Sequence, residues 1–282
     1  MPNRIYYGDN LEVLKKLPTG KISLIYIDPP FNTGRKQSRT QIRTLPSNMG
    51  DRIGYQGRRY QTVKIGSQEF EDNFEDYLAF LQPRLEEAYR VLKPNGSLYF
   101  HIDYREVHYC KILLDKIFGR ENFLNEIIWA YDYGARTRKK WPPKHDNILW
   151  FAKDYRDYIF NFEDVDRIAY MAPGLVGPEK AARGKFPTDT WWHTIVPTNG
   201  SEKTGYPTQK PIGILRRIIL ASSNRGDTVM DFFAGSGTTG DVCLEQKRKF
   251  ILVDNNLQAM KVMEKRFQGV KNIHWEGYVP KP

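Results

Sequence analysis

Asp28-Pro29-Pro30-Phe31 sets a carboxylate, two prolines and an aromatic ring directly after an apolar run at 22–27. That run reads as a buried strand. The four residues then fall at a strand's C-terminal end, where open α/β sheets place their ligands. The prolines restrict the backbone and remove two N–H donors, which leaves the carbonyls of Asp28 and Pro29 as fixed acceptors. An anionic acceptor, a rigid carbonyl and a flat ring suit a planar amine on an aromatic base. Such an amine is a poor nucleophile, because its lone pair is delocalised into the ring. Acceptors binding both amine hydrogens would localise that pair and stabilise the positive charge that develops on attack. Phe31 would stack on the base and hold it in line. Inside a duplex the base would first have to be flipped out. The competing reading is an ordinary turn, since Asp and Pro are common turn residues.

A second stretch carries chemistry of another kind. An apolar run at 228–233 is followed by Ala234-Gly235-Ser236-Gly237-Thr238-Thr239-Gly240 and a helical pattern over about 241–246. A strand, a Gly-rich turn and a helix start offer close backbone approach and free N–H groups. A further strand at 249–253 ends in Asp254, which is well placed to bond ribose hydroxyls. Gly235, Gly237 and Gly240 also match the G-x-G-x-x-G spacing of dinucleotide-binding proteins, so an NAD reading competes at this point.

Read together, Asp28-Pro29-Pro30-Phe31 and Asp231-Phe232-Phe233-Ala234-Gly235-Ser236-Gly237-Thr238-Thr239 resemble the paired signatures of the AdoMet-dependent DNA amino-methyltransferases. The segment Ser201-Glu202-Lys203-Thr204-Gly205-Tyr206-Pro207-Thr208-Gln209-Lys210-Pro211 resembles the stretch that precedes the cofactor motif in that family. The catalytic motif comes first and the cofactor motif last, an order similar to the circularly permuted β group. The resemblance spans nearly the whole chain and makes NAD the weaker reading.

The resemblance implies AdoMet as cofactor. Phe233, Gly235, Ser236, Gly237, Thr238 and Thr239 would wrap its methionine part, and Asp254 would take the ribose hydroxyls with Asn255 beside it. Lys210 and Pro211 would close one side of the pocket, and Gly8-Asp9-Asn10 would meet the adenine ring. The catalytic set would be Asp28, Pro29, Pro30 and Phe31. The aspartate in that motif favours adenine N6 as the target, because the family's cytosine-N4 members usually carry serine there. Cytosine N4 is the first alternative, and relatives acting on RNA are another. A nucleic-acid-binding protein without catalysis is the alternative from a different class, against which the intact Asp28, Gly235 and Asp254 speak. A homodimer and a cognate restriction endonuclease are partners the family leaves open.

Composition points the same way. The chain has 282 residues, a formal net charge of +10, 40% hydrophobic and 13% aromatic residues. This balance favours a polyanion such as double-stranded DNA. The apolar runs are too short to cross a bilayer, and no N-terminal signal pattern is present. Cys110 and Cys243 form no disulfide framework, and the five histidines form no ligand cluster. A reducing cytoplasm and no metal are therefore expected. With no cysteine in a nucleophile context, a covalent enzyme intermediate is not expected either.

The elements that must position these motifs alternate between strands and helices, which predicts a doubly wound, Rossmann-like class I sheet. Helices are expected over 74–92, ended by Lys93-Pro94-Asn95-Gly96, and over 107–118, with strands over 97–102, 126–130 and 147–152. His101 reads as a packed or capping histidine, and His145-Asp146 as a turn. Arg35, Lys36, Arg39, Arg43, Arg52, Arg58, Arg59 and Lys64 face a single acid, Asp51, in a Gly- and Ser-interrupted stretch. A mobile basic loop over about 33–68 is expected there, lying over the base pocket and ordering on phosphate. The division that follows is 1–154 as catalytic half, 155–198 as a short inserted target-recognition region, and 199–282 as AdoMet-binding half. Arg136, Arg138, Lys139, Lys140, Lys144, Lys180, Arg183 and Lys185 are available for phosphates or guanines. At least one of Trp191 and Trp192 is expected to pack in the core.

Overall fold

The computed structural model describes all residues except 1, 33–34, 47–51, 54–58, 73, 133, 135, 198–199 and 282. Two compact units result, 30–77 and the remainder of the chain.

The larger unit is built on a nine-stranded sheet. Its strands are β1 (Asn3–Tyr7), β2 (Ile22–Ile27), β6 (Leu92–Ile102), β7 (Phe123–Ala130), β8 (His145–Ala152), β9 (Thr190–Trp192), β10 (Thr228–Asp231), β11 (Lys249–Asp254) and β12 (Ile273–Glu276). Their spatial order is β12-β1-β11-β10-β2-β6-β8-β7-β9. From β12 to β6 every pair is parallel; β8 then runs antiparallel to β6 and to β7, and β9 is parallel to β7. The helices are α1 (Asn10–Lys16), α2 (Tyr77–Val91), α3 (Val107–Phe118), α4 (Pro178–Arg183), α5 (Ile212–Ser222), α6 (Thr238–Glu245) and α7 (Leu257–Arg266).

β2 is buried at every position, as its apolar run, interrupted only by Ser23, requires of a central parallel strand. Alternate strand residues build one core face: Leu24 and Tyr26, Ile148 and Trp150, Phe250 and Leu252 pack with Ile214, Leu215 and Ile218 of α5 and with Met260 and Met263 of α7. The other face meets α3, where Phe118 lies 5.5 Å from Phe151.

One topological fact places the site. From β2 the chain proceeds to β6 on one side, and from β10 it proceeds to β11 on the other, while β10 and β2 are neighbours through Val229↔Leu24 and Met230↔Ile25. The crevice at their C-terminal ends is a switch point, where open sheets bind ligands.

Some expectations are corrected. Lys93-Pro94-Asn95-Gly96 does not lie outside the strand: α2 stops at Val91 and β6 begins at Leu92, with a register shift between Ile22↔Leu92 and Leu24↔Ser97 that absorbs the turn-like residues. β10 ends at Asp231, two residues earlier than the apolar run suggests, and α6 begins at Thr238. His145 and Asp146 open β8 rather than forming a turn, because both pair with β7 through Ala130↔His145 and Trp129↔Asp146. Trp191 is buried on β9, whereas Trp192 is 66% exposed.

The smaller unit holds a separate three-stranded antiparallel sheet of β3 (Arg35–Pro46), β4 (Arg52–Ile53) and β5 (Arg59–Asp72), in the order β3-β5-β4. The expected irregular loop is thus replaced by a ladder from Arg35↔Asp72 to Pro46↔Tyr60. Thr40, Ile42, Thr44, Tyr60, Thr62, Val63 and Ile65 are β-branched or aromatic, and their strand preference outweighs the scattered glycines. Arg58 and Asp51 lie outside the described residues.

Candidate active site

β2 delivers Asp28 and β10 delivers Asp231 to the same crevice. Asp28 is nearly enclosed, with 15% of its side chain exposed. Its Oδ2 lies 2.7 Å from the Lys210 Nζ, an ion pair joining the motif after β2 to the segment before α5. Its Oδ1 is buried without a hydrogen-bond partner among the described residues. Pro29 is buried.

The division between the units falls inside the motif, because Pro30 and Phe31 belong to the smaller unit. There the Tyr77 hydroxyl donates to the Pro30 carbonyl at 2.5 Å, and the Phe74 N–H donates to the Asn32 Oδ1 at 3.2 Å. Asn32 holds a left-handed φ of 51°. Phe31 is half-buried.

The Gly-rich turn is tied down by two carboxylates. The Phe233 N–H donates to Asp231 Oδ1 at 3.0 Å, and the Thr239 hydroxyl to Asp231 Oδ2 at 2.6 Å. Asp254 receives the Gly235 N–H at 2.7 Å and the Asn256 N–H at 2.8 Å, and burial raises its pKa. Burial also pushes the Asp231 carboxyl up to about 7, against those two hydrogen bonds and with the nearby charges of Asp28 and Asp254 adding to the rise.

The glycines divide the work among themselves. Gly235 (φ 51°) passes so close to Tyr206 that a Cβ would sit 3.0 Å from its ring. Gly237 (φ 74°) and Gly240 serve packing instead: a Cβ would meet Met263 at 2.7 Å in the first case and Leu252 at 2.8 Å in the second. Ser236 and Thr238 bond each other at 3.0 Å. Phe233 is half-buried, 6.2 Å from Phe80, and Asn255 is exposed.

Asp9 has partners of its own. Its Oδ1 caps α1 by accepting the Leu11 and Glu12 N–H groups, and its Oδ2 lies 2.9 Å from Arg84. Arg84 also donates to Asn10 at 2.6 Å, and Asn10 donates to the Phe232 carbonyl at 2.7 Å. The Gly8 N–H reaches the Asp254 carbonyl at 3.1 Å, so this turn does border the turn after β11. The segment before α5 is folded by Gln209, which accepts from the Thr204 N–H and hydroxyl at 2.8 Å and donates to the Glu202 carbonyl at 2.6 Å. Pro211 precedes the first turn of α5.

His101 is packed, as expected, but its contacts with Asp28 and Asp146 were not foreseen in the sequence. His101, fully buried on β6, has Nδ1 2.8 Å from the Tyr26 hydroxyl and 3.7 Å from Asp28 Oδ1. Its Nε2 lies 3.2 Å from Asp146 Oδ2, and Asp146 Oδ1 accepts the Tyr131 hydroxyl at 3.0 Å. Burial opposes ionisation of Asp146, yet the bond and charge of His101, then the charge of Lys210, hold its carboxyl below the ordinary range. Burial, followed by the charges of Asp28, Asp231 and Asp146, keeps the Tyr26 phenol protonated. A local signal was present, since a polar residue at 101 interrupts the apolar run of β6.

Burial pushes the Cys110 thiol up to about 12, and Cys243 is buried as well, so neither supplies a ready thiolate. Among the described residues no cluster of His, Cys, Asp or Glu could hold a metal. No described helix is long and apolar enough to cross a membrane. A separate cavity of about 210 Å³ lies between Trp150, Phe160, Trp191 and Arg217, and neither Asp28, Asp231, Asp254, Lys210 nor His101 lines it.

Chemically, the crevice offers a carboxylate with a cation on one oxygen and an uncommitted second oxygen. A glycine-rich turn pinned by buried acids sits beside it. That combination suits a substrate group that gains positive charge, held next to a ligand carried by backbone and glycine.

Comparisons with known proteins agree with this geometry. A family described as DNA methylase, covering N6 and N4 methyltransferases, matches residues 22–265. The type II methyltransferase M.HpaI of Haemophilus parainfluenzae is 31% identical over 272 residues, covering 96% of this chain and 76% of its own. The DNA adenine methyltransferase YhdJ of Escherichia coli (strain K12) is 32% identical over 271 residues, covering 92% of this chain and 80% of its own. Among solved structures, the M1.HpyAVI–SAM complex superposes with a TM-score of 0.60 at 21% identity, covering 94% of this chain and 98% of that one. The cytosine-N4-specific PvuII DNA methyltransferase gives a TM-score of 0.59 at 17% identity, covering 97% and 95%.

Proposed function

The chain belongs to the N6/N4 DNA methylase family, and from that premise we propose that it methylates the exocyclic N6 amine of adenine in double-stranded DNA, using AdoMet. The observation that carries the reading is the placement of Asp28 at the switch point beside the Asp231–Gly235 turn, with a buried oxygen that no described residue satisfies. Adenine rather than cytosine N4 is supported by the aspartate at 28 and by the similarity to the DNA adenine methyltransferase YhdJ.

The residues present fit AdoMet. Gly235 leaves no room for a side chain against Tyr206, and the turn from Phe233 to Thr239 is fixed from below by Asp231. Phe233, Gly235, Ser236, Gly237, Thr238 and Thr239 would hold its methionine part. Asp254 and Asn255 would meet the ribose, Asp9 would border the adenine, and Lys210 and Pro211 would close the side. When bound, AdoMet supplies an electrophilic methyl group on a sulfonium. The protein's share is orientation and charge. Asp28 accepts an amine hydrogen, the Pro29 carbonyl the other, and the carboxylate stabilises the cation that forms. Pro30 and Phe31 keep the roles their motif gives them, rigidity and stacking on the flipped base. No covalent enzyme intermediate is needed.

Target recognition falls to 155–198, whose exposed surface carries Lys180, Arg183 and the indole of Trp192. The basic stretch of the smaller unit supplies phosphate contacts. A cytoplasmic location is part of this proposal, supported by the DNA substrate. The type II name of M.HpaI makes a cognate restriction endonuclease the partner to seek, and sedimentation tests for a homodimer.

Incubation of unmethylated genomic DNA with labelled AdoMet, followed by nucleoside mass spectrometry, tests the reading. Label is expected in N6-methyladenine, and Asp28→Ala should abolish it while AdoMet still binds in titration calorimetry. Label in N4-methylcytosine would overturn the base assignment. Absence of label in any base would favour a noncatalytic binding protein.

A further inference from the structure

Methylation of an exocyclic amine leaves a cationic nitrogen that must lose a proton. Bulk water is one destination. The crevice contains another, buried behind the carboxylate that touches the amine.

We propose that His101, with Asp146 behind it, receives that proton through Asp28, a reading that rests on the methyltransferase function proposed above. The geometry assigns the order of events. Asp146 Oδ2 faces Nε2 at 3.2 Å while its Oδ1 accepts the Tyr131 hydroxyl, so in the neutral imidazole the hydrogen sits on Nε2. Tyr26 keeps its own proton and donates it to Nδ1 at 2.8 Å. Nδ1, without a hydrogen in this tautomer, then stands 3.7 Å from Asp28 Oδ1 and offers it no donor, and that buried oxygen has no hydrogen-bond partner among the described residues. In this state the contact is repulsive and costly to bury.

One proton turns it into an attraction. The methylated ammonium gives its proton to the Asp28 carboxylate and becomes the neutral secondary amine. Rotation of the carboxyl group about its Cβ–Cγ bond turns the O–H toward His101. As the Tyr26 hydroxyl swings aside, Nδ1 accepts the proton. The result is an imidazolium between two carboxylates, Asp28 and Asp146; once the product leaves, the same path in reverse returns the proton through Asp28 to solvent and restores both groups. No oxidant, metal or further reactant is needed. Among the described residues, the charged and hydrogen-bonding groups around this pair include Tyr26 and Asp28 from β2, Asp103 after β6 with its partner Arg105, Tyr131 after β7, Asp146 from β8, Lys210 before α5 and Asp231 from β10. His101 acts through Asp28 and is in that sense a positioning residue.

The test uses the full-length protein with AdoMet and unmethylated DNA, comparing wild type, His101→Gln, Asp146→Asn and Asp28→Ala in single-turnover methylation across pH. Wild type should lose rate on the acid side, where a histidine already protonated cannot accept. His101→Gln should slow the step at least about tenfold and remove that acid limb, with AdoMet affinity by calorimetry within about twofold of wild type. Asp146→Asn preserves volume and should shift the limb to lower pH. Labelled-histidine NMR provides a readout without turnover: the His101 titration should move when Asp28 is replaced by Ala. A wild-type rate in His101→Gln, an acid limb that survives both substitutions, or a His101 resonance blind to Asp28→Ala would overturn the relay. Failure of wild type to methylate any base would instead sink the underlying function. If His101→Gln does not fold, the Asp146→Asn limb and the NMR titration decide alone.

Discussion

Asp231 gives a sharp prediction about stability. Its carboxyl is buried under the Gly-rich turn and titrates near 7, where an unfolded aspartate titrates near 3.8. The folded protein therefore binds a proton that the unfolded chain has released. The stabilising effect of that proton is fully present below about pH 4 and is lost as pH rises through about 7. At about 1.4 kcal/mol per unit the difference amounts to roughly 4 kcal/mol. Asp231→Asn keeps the volume and stays neutral at every pH. Urea unfolding at intervals between pH 4.5 and 8 should show wild type weakening relative to the variant by about 3–4 kcal/mol across that window. Subtraction of the two curves removes the contributions of Asp103 and Asp146, which both proteins share. Parallel curves would refute the reasoning, because they would mean that Asp231 is ionised in the folded protein throughout, with water or a cation compensating its burial.

Further predictions concern the supports of the turn. Gly237→Ala places a Cβ 2.7 Å from Met263 in a left-handed backbone; strain and repacking should cost about 2 kcal/mol and lower the melting temperature by about 4–8 °C, and an unchanged melting temperature would contradict the packing role. Arg84→Met leaves the buried Asn10 Oδ1 without its donor, with the Asp9 pair adding little because Asp9 is half exposed. A loss of about 1–3 kcal/mol in chemical unfolding is expected, together with weaker AdoMet binding through the shifted Phe232 carbonyl. Equal stability and affinity in the variant would remove Arg84 from the support of the turn.

The parts legible in the sequence are those written locally. A largely apolar run followed by Asp-Pro-Pro-Phe identifies β2 and its end, and a run followed by Gly-Ser-Gly identifies β10 and its turn, because strand burial and turn chemistry both act over a few residues. The pair Asp28–Lys210 was half legible: each residue lay in a recognisable motif, while their 2.7 Å contact came only from the sheet order. The hairpin of the smaller unit was missed because its ladder is cooperative and its glycines read as breaks. His101 and Asp146 escaped for another reason. They are 45 residues apart, on neighbouring antiparallel strands, and nothing at either position signals the other. Gly237 and Gly240 belonged to a spacing that suggests ligand approach, yet their missing side chains make room for Met263 and Leu252.

The charge distribution ties the site to the rest of the molecule. The chain carries a net charge of +10, yet the crevice gathers Asp28, Asp231 and Asp254 at the C-terminal ends of adjacent strands, close enough that each of the first and last raises the pKa of the middle one. These opposite signs serve different steps. A positive exterior attracts a polyanion over distances of about a Debye length, roughly 8 Å at physiological salt. An acidic, enclosed edge acts only at contact, where dielectric screening is weak, and there it favours positive charge on a substrate nitrogen. A uniformly basic crevice would bind DNA well and oppose the charge that amine methylation creates. Salt should therefore weaken DNA binding steeply while leaving the rate of the bound complex nearly unchanged, as measured by single-turnover methylation at saturating protein. A bound-state rate that falls in step with affinity would show that exterior and crevice act as one field and would undo this separation.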